Sequence, residues 1–557
     1  MPLINLFTGL APRVPKHLKG PGMAMTARDV DLRSGSIKAW RSARKLAEPG
    51  PDVLSAILLR NGEWEFWNTC VEATEYLPDY GRLYVTGRSE RPEVADVCSM
   101  PLEYFYLGVP APRRPPLVQG PEILGEDSDA RSYVYTYINR FGEMSAPSPA
   151  SVQLTVRDGD PVRVYGMSPP PDGWGVEAIA VWRSATGVRK TLEDMQAPGS
   201  AWLLVYIISS RDGELTDDLM LKELHEALST ETVRVPPAGL RQISCLGGTG
   251  TLCGVEGHRL YFSENFQPWN WPVENEMTFP YDIVNMRTMG GSGDIGSRGF
   301  ASTRSGARVF LTTTAGAYVV EGLPPCSDNL QSRQVHEVTP HYPDLGCGRP
   351  NSAVMTPFGM VYSASVGLVL IKSDGSCDVL TALWYTSELW KELRPDTARL
   401  AFWQGLLFCV TDAESLVLEI DPKTYGDGDV GILTTLSARP RNLWTTESGE
   451  LLMLEGGSIR QFNAGKGKVD YDWESADLEF EGRTSPSSAR VRTDGTTMTL
   501  KCPVPGLEYS RFVSGDKPFR LGRLGRHLKY RLEFKGQGAV ESAELGVSEF
   551  VERGESR

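Results

Sequence analysis

Val361-Tyr362-Ser363, Gly367-Leu368-Val369-Leu370-Ile371, Leu406-Leu407-Phe408-Cys409-Val410, Leu416-Val417-Leu418-Glu419-Ile420 and Leu451-Leu452-Met453-Leu454 follow one another at fairly even spacing. Each run is too short for a typical helix and rich in the residues that suit a pleated surface, with Gly-containing turns along the series. Strand, turn, strand, repeated this way, is the mark of a β-propeller or a large sandwich. The repeat is degenerate and does not give a blade count. Upstream, Arg82-Leu83-Tyr84-Val85-Thr86, Tyr133-Val134-Tyr135-Thr136-Tyr137-Ile138 and Arg308-Val309-Phe310-Leu311-Thr312 have the same texture. One stretch reads as a helix, Asp217 to Ala227, where Leu219, Leu221, Leu224 and Leu228 approximate one face behind an acidic start.

Pro-rich joints divide the chain. Val109-Pro110-Ala111-Pro112-Arg113-Arg114-Pro115-Pro116 is too constrained for a sheet centre, and Ser168-Pro169-Pro170-Pro171 and Val235-Pro236-Pro237 are similar breaks. Between the first and last joints lies a block of about one sandwich-domain length, to which Tyr133–Ile138 and Ala178–Arg183 contribute strands. The expected organisation is an N-terminal arm (1–49), the first part of a propeller (50–118), an inserted β-sandwich (119–235), the rest of the propeller (236–468) and a platform-like C-terminal β-domain (469–557).

Bulk composition sets outer limits. The 557 residues suffice for roughly three or four domains, and 41% hydrophobic content supports real cores. The 57 glycines and 39 prolines, spread throughout, suit many tight turns. No run of about 18 apolar residues predicts a spanning helix, and the start, Met1 to Arg13, lacks the pattern of a secretory leader. Nine cysteines without a spacing pattern argue against a disulfide framework and suit a reducing cytoplasm. A net charge of −13 is the opposite of the balance expected for tight, nonspecific nucleic-acid adhesion.

Against this acidity stand two basic clusters. From Arg13 to Lys45, nine cations including Arg13, Lys16, Lys19, Arg28 and Arg33 face only Asp29 and Asp31. From Arg511 to Lys535, eight cations including Arg520, Arg523 and Arg526 face only Asp516 and Glu533. These eight named residues are the candidate partner-docking set, since charge complementarity steers association. A solvated face explains the second cluster equally well. The first lies on an extended segment with Gly20, Pro21 and Gly22, which needs a partner or the protein body to order it.

Enzyme signatures are weak. The six histidines form no metal spacing: His225 lacks the second histidine of a zinc helix, and His336 and His341 flank Pro340 without a carboxylate pattern. Gly247-Gly248-Thr249-Gly250 and Gly290-Gly291-Ser292-Gly293 do not end in Gly-Lys-Ser/Thr. Among 70 acidic residues some pair at glycosidase spacing is inevitable and therefore uninformative. Ser373-Asp374-Gly375-Ser376 is reminiscent of a sialidase turn, but the usual aromatic is absent. Trp269-Asn270-Trp271-Pro272 offers aromatics that could hold a sugar or base; packing between blades is the plainer reading. No catalytic residue, cofactor or metal site is expected.

Several phrases resemble the tail nozzle proteins, or tail tubular protein B family, of short-tailed bacteriophages. They are Gly9-Leu10-Ala11-Pro12 with Ala27-Arg28-Asp29-Val30-Asp31-Leu32-Arg33-Ser34-Gly35, then Arg82–Gly87 and Leu107–Pro112. Tyr133–Asn139 with Phe141-Gly142-Glu143 and Ser145-Ala146-Pro147-Ser148-Pro149 is similar to that family's fibronectin-like insert. Arg259–Glu264, Pro268–Pro272, Ser363–Val369 and Leu380-Thr381 continue in family order, so the resemblance covers about two thirds of the chain. It implies a virion protein of podovirus tails, assembled in the host cytoplasm as a homo-oligomeric ring, usually a hexamer. The ring sits below a tail adaptor (tail tubular protein A-like), beside fibres or spikes, and gates viral DNA passing through its channel without sequence-specific binding. An acidic wall would keep phosphates from adhering at short range. A propeller-type glycan-binding or glycan-cleaving tail protein is the alternative, and a receptor-binding fibre is a third reading that the lack of long repeats disfavours.

Overall fold

The computed structural model describes residues 3–76, 80–121, 129–184, 202–246, 250–289, 307–323, 334–338, 345–420, 431–446 and 448–547. The protein is all-β: among these residues the one α-helix is Ser387–Glu392. Thr386 caps it by accepting a hydrogen bond from the Leu389 amide, and Trp390 is its buried residue.

Seven small antiparallel strand groups follow one another along the described chain, six of them separate sheets and the sixth in order the end of a 13-stranded sheet. The first is the hairpin Ser55–Leu58 with Trp64–Trp67. The second runs from Glu72–Glu75 through Arg82–Thr86 and Glu93–Asp96 to Tyr104–Tyr106. The third opens with Arg241–Leu246, the fourth with Ile283–Met289, the fifth with Ala353–Thr356 and the sixth with Arg399–Trp403, each adding three more strands in chain order. The seventh joins Asn442–Thr445, Leu451–Glu455 and Ser458–Gln461 to Arg44–Ala47 from the opposite end of the chain.

Each neighbouring pair of sheets shares its own apolar core. Leu83 and Val85 of the second sheet meet Leu59 and Trp67 at the first; Tyr84 and Val94 meet Ile243 and Leu252 of the third. The series continues through Val255 with Val309, Phe310 with Met360, Leu368 with Leu407, and Phe408 with Met453. A last cluster, Leu452, Leu454 and Ile459 with Val53, Trp64 and Phe66, returns from the seventh sheet to the first. From the second sheet to the seventh, the opening strands of successive sheets lie side by side. Gln242 ties three of them: its amide donates to Glu72 Oε2 (3.2 Å), its Nε2 to the Val284 carbonyl (2.7 Å), and its Oε1 accepts from the Met286 amide (2.6 Å).

Between the second and third sheets the chain makes a two-layer body. Leu117–Gln119, Val162–Tyr165 and Glu214–Asp217 form one layer; Tyr133–Asn139, Val176–Ser184 and Trp202–Ser209 form the other. Tyr133, Tyr135 and Tyr137 point into the core between them, while Val134 and Ile138 pack on the outer face with Trp182 and Leu228. Both faces are covered, which is why the run is apolar without alternation. Its free edge is closed by Ser145-Ala146-Pro147-Ser148-Pro149-Ala150-Ser151. The serine hydroxyls accept from the Tyr137, Tyr135 and Tyr133 amides (3.0–3.1 Å), and the serine amides donate back to the same three carbonyls.

The helix expected over Asp217–Ala227 is not formed. Asp217 ends a strand, Leu221–Glu223 makes a single 3-10 turn, and Glu226–Leu228 runs beside Trp202–Leu204. Tertiary demands override the leucine spacing. Asp217 accepts from Arg183, Tyr133 and the Leu219 amide, while Leu224 is buried and Leu228 packs on the outer cluster from extended backbone.

The C-terminal strands Tyr471–Ser475, Ser488–Lys501, His527–Gly536 and Val540–Gly546 enclose another core. The N-terminal segment is woven into it: Leu3–Ile4 pairs with Val540–Gly546, and Ala24–Arg28 runs between Tyr471–Ser475 and the last strand of the sixth sheet. Ile4, Phe7, Ala24, Ala27, Val30, Leu32 and Ile37 are all buried there. Of the two ways to order this arm, the body of the protein supplies one.

Candidate docking surfaces

The eight cations expected to dock partners fall into two separate groups. Arg13 is exposed but anchored, its amide donating to the Trp384 carbonyl (2.9 Å) and its guanidinium to the Ala382 carbonyl. This pins a loop whose 3-10 turn, Lys16–Leu18, displays Lys16 and a two-thirds exposed Leu18. Lys19 follows, half-buried; burial, and then the neighbouring Lys16 charge, hold its ammonium below the usual lysine value. Arg28 is exposed at the end of its strand. Arg33 is different: it grips Asp31 with two hydrogen bonds (3.0 and 2.9 Å) and lies over the Trp40 ring, so its charge is already answered.

In the C-terminal group, Arg520 sits in a short strand paired with Ser488, while Arg523 and Arg526 are exposed on the loop that follows and take part in no ion pair among the described residues. The same basic stretch looked uniform in sequence, yet Lys529, Arg531 and Lys535 are neutralised. Alternate residues of adjacent strands face outward together. Asp472, Lys535, Glu533, Lys501, Glu474, Arg531, Asp477, Lys529 and Glu479 therefore form one connected chain of alternating charge. The strand register shows what lies opposite Lys529, Arg531, Glu533 and Lys535.

Glu533 is the hub. Burial alone would raise its pKa, but hydrogen bonds from Lys501 and Lys535, both at 2.8 Å, outweigh that and hold it below the usual value. A carboxylate lowered in this way lends stability above its unfolded pKa of about 4.3 and loses it as pH falls through the folded value. Glu533→Gln is accordingly expected to cost about 1–3 kcal/mol at neutral pH and much less near pH 3. Urea titrations across this range measure it; a pH-independent loss would mean that packing, not charge, is responsible.

The other sequence candidates are occupied by structure. Trp271 is buried between the second and third sheets, its Nε1 donating to the Pro268 carbonyl (2.9 Å). Asp374 accepts from the Ser376 amide (2.9 Å) and hydroxyl (2.6 Å), which close a turn and lower the carboxyl's pKa. Among the described residues no group of three His, Cys, Asp or Glu could hold a metal ion, and the eight described cysteines are free thiols. His341, Gly247–Thr249 and Gly290–Gly293 lie outside the described residues. No described helix is long and apolar enough to cross a membrane. No protein-family model matches the chain, and no curated protein is significantly similar to it.

Proposed function

We propose that this chain is a non-enzymatic structural subunit of a podovirus tail nozzle: a seven-bladed β-propeller carrying a fibronectin-like insert and a C-terminal β-domain. It assembles as a ring, sixfold by family resemblance, below a tail adaptor, and surrounds and gates the path of the ejected DNA. The observation that carries this reading is the circular succession of inter-sheet cores, in which the cluster around Leu452 and Trp64 returns from the last sheet to the first. The exchange of Arg44–Ala47 into the seventh sheet supports it, because a strand from the other end of the chain covers the edge of Ser458–Gln461, as the short protected edges of a propeller require. A stiff torus with its polar side chains committed to turns and ion pairs suits a conduit better than a catalyst.

Electron microscopy of the purified protein, alone and with an adaptor ring, is expected to show closed rings with a central channel. Monomers under all these conditions would count decisively against the assembly. Turnover of any glycan in a degradation screen would overturn the non-enzymatic reading.

A further inference from the structure

We infer that copies of this chain meet head to tail through unlike charges, the Arg13–Lys19 loop of one copy seating on an acidic ribbon of the insert, Asp212–Glu231, in the next. This rests on the ring reading above and names the surfaces that build the ring.

Charge is strongly segregated along the chain. Residues 1–49 hold nine Lys and Arg against three Asp and Glu, whereas residues 119–235 hold 18 Asp and Glu against 10 Lys and Arg. On the insert, Asp212, Asp218, Glu223, Glu226 and Glu231 are exposed and belong to no ion pair among the described residues. Arg13, Lys16 and Lys19 are equally without carboxylate partners within the described chain. The basic loop is held at both ends: Leu10 donates to the Leu433 carbonyl, Arg13 to that of Trp384, and Thr8 to that of Gly22. Ordering it on a partner therefore costs little entropy. Leu18, two-thirds exposed at its tip, adds an apolar contact that a purely solvated loop has no use for.

On the seven-sheet cycle proposed above, the two patches leave the body at different sheets. The insert leaves between the second and third sheets, while the loop is tied to the sixth sheet and the segment just before it. Three sheets separate them in either direction, so on a seven-sheet cycle they occupy opposite flanks. Unlike patches on opposite flanks make a heterologous contact, the kind that generates a ring when its rotation closes.

The test uses two full-length variants, K16E/K19E and E223K/E226K/E231K, all at exposed positions except the half-buried Lys19. Each alone is expected to keep its circular dichroism spectrum and to need at least about tenfold more protein to assemble, by sedimentation at about 50 mM salt. Mixed in equal amounts, they are expected to regain rings, because each then presents the charge that the other lacks. Wild-type rings are also expected to weaken between about 50 and about 500 mM salt. Rings that form normally from either variant alone would sink this assignment and leave the nozzle reading standing. Variants that ring normally but lose the adaptor would transfer the loop to another partner and equally overturn it. Wild-type protein that never forms rings would remove both readings.

Discussion

A chain lacking residues 1–49 is expected to yield no soluble, folded protein. The segment contributes Ile4, Phe7, Val30, Leu32 and Ile37 to the C-terminal core and Trp40 to the core between the sixth and seventh sheets. Fully burying an apolar side chain of this size is worth about 1.5–3 kcal/mol, so the combined loss matches or exceeds the total stability of a typical domain. It also removes the strand Arg44–Ala47, exposing the edge of Ser458–Gln461. A milder probe is Phe7→Ala. Phe7 stands edge-on to Trp473 (5.0 Å between centroids) and Phe534 (6.1 Å), and its truncation is expected to cost about 3–5 kcal/mol in chemical denaturation. A soluble truncation with native spectra would show that the segment is an accessory, as its glycines and basic charge suggest at first sight.

The second large effect is expected at the joint between the insert and the second sheet. Arg82 reaches Glu143, which is almost completely buried in the turn that follows Tyr133–Asn139. Asn139 Nδ2 donates to the same carboxylate (2.8 Å), and the Arg82 guanidinium lies 4.6 Å from the Phe141 ring centroid. Arg82→Ala strands a buried carboxylate without its counter-charge, which typically costs about 3–5 kcal/mol. Removing both charges, as in R82M/E143L, spares the desolvation of either, so the double variant is expected to recover most of the loss. Denaturation midpoints and the rate at which a protease releases the insert give the readout. If the double variant is as weak as Arg82→Ala, the pair matters for its shape rather than its charge.

How much of this was legible in the sequence differs from place to place. The runs Gly367–Ile371 and Leu406–Val410 are strands at the bounds expected, because short branched runs between turn residues have few other uses. The Tyr133–Ile138 run also showed itself, although the reason for its continuous apolarity, cover on both faces, needed the partner strands. The helix at Asp217–Ala227 failed because leucine spacing records that side chains are buried, not which backbone carries them. The true helix at Ser387–Glu392 carried a readable signal, Thr386 followed by Glu388, but six residues are too few for a period to emerge. In the basic C-terminal stretch the sequence offered Arg520, Arg523 and Arg526 as docking candidates. That Lys529, Arg531 and Lys535 are neutralised was not legible, since it depends on strands distant in the chain.

The exchange of Arg44–Ala47 and Ala24–Arg28 into partners near residues 460 and 475 also dictates an order of events during synthesis. The first fifty residues leave the ribosome long before their partners exist, and must wait through most of translation with Phe7, Val30 and Trp40 unsheltered. The insert's contacts are nearer in sequence and can consolidate early, whereas the closing strand can add only near the end. A newly made chain is thus most prone to aggregate in the interval before its last hundred residues emerge.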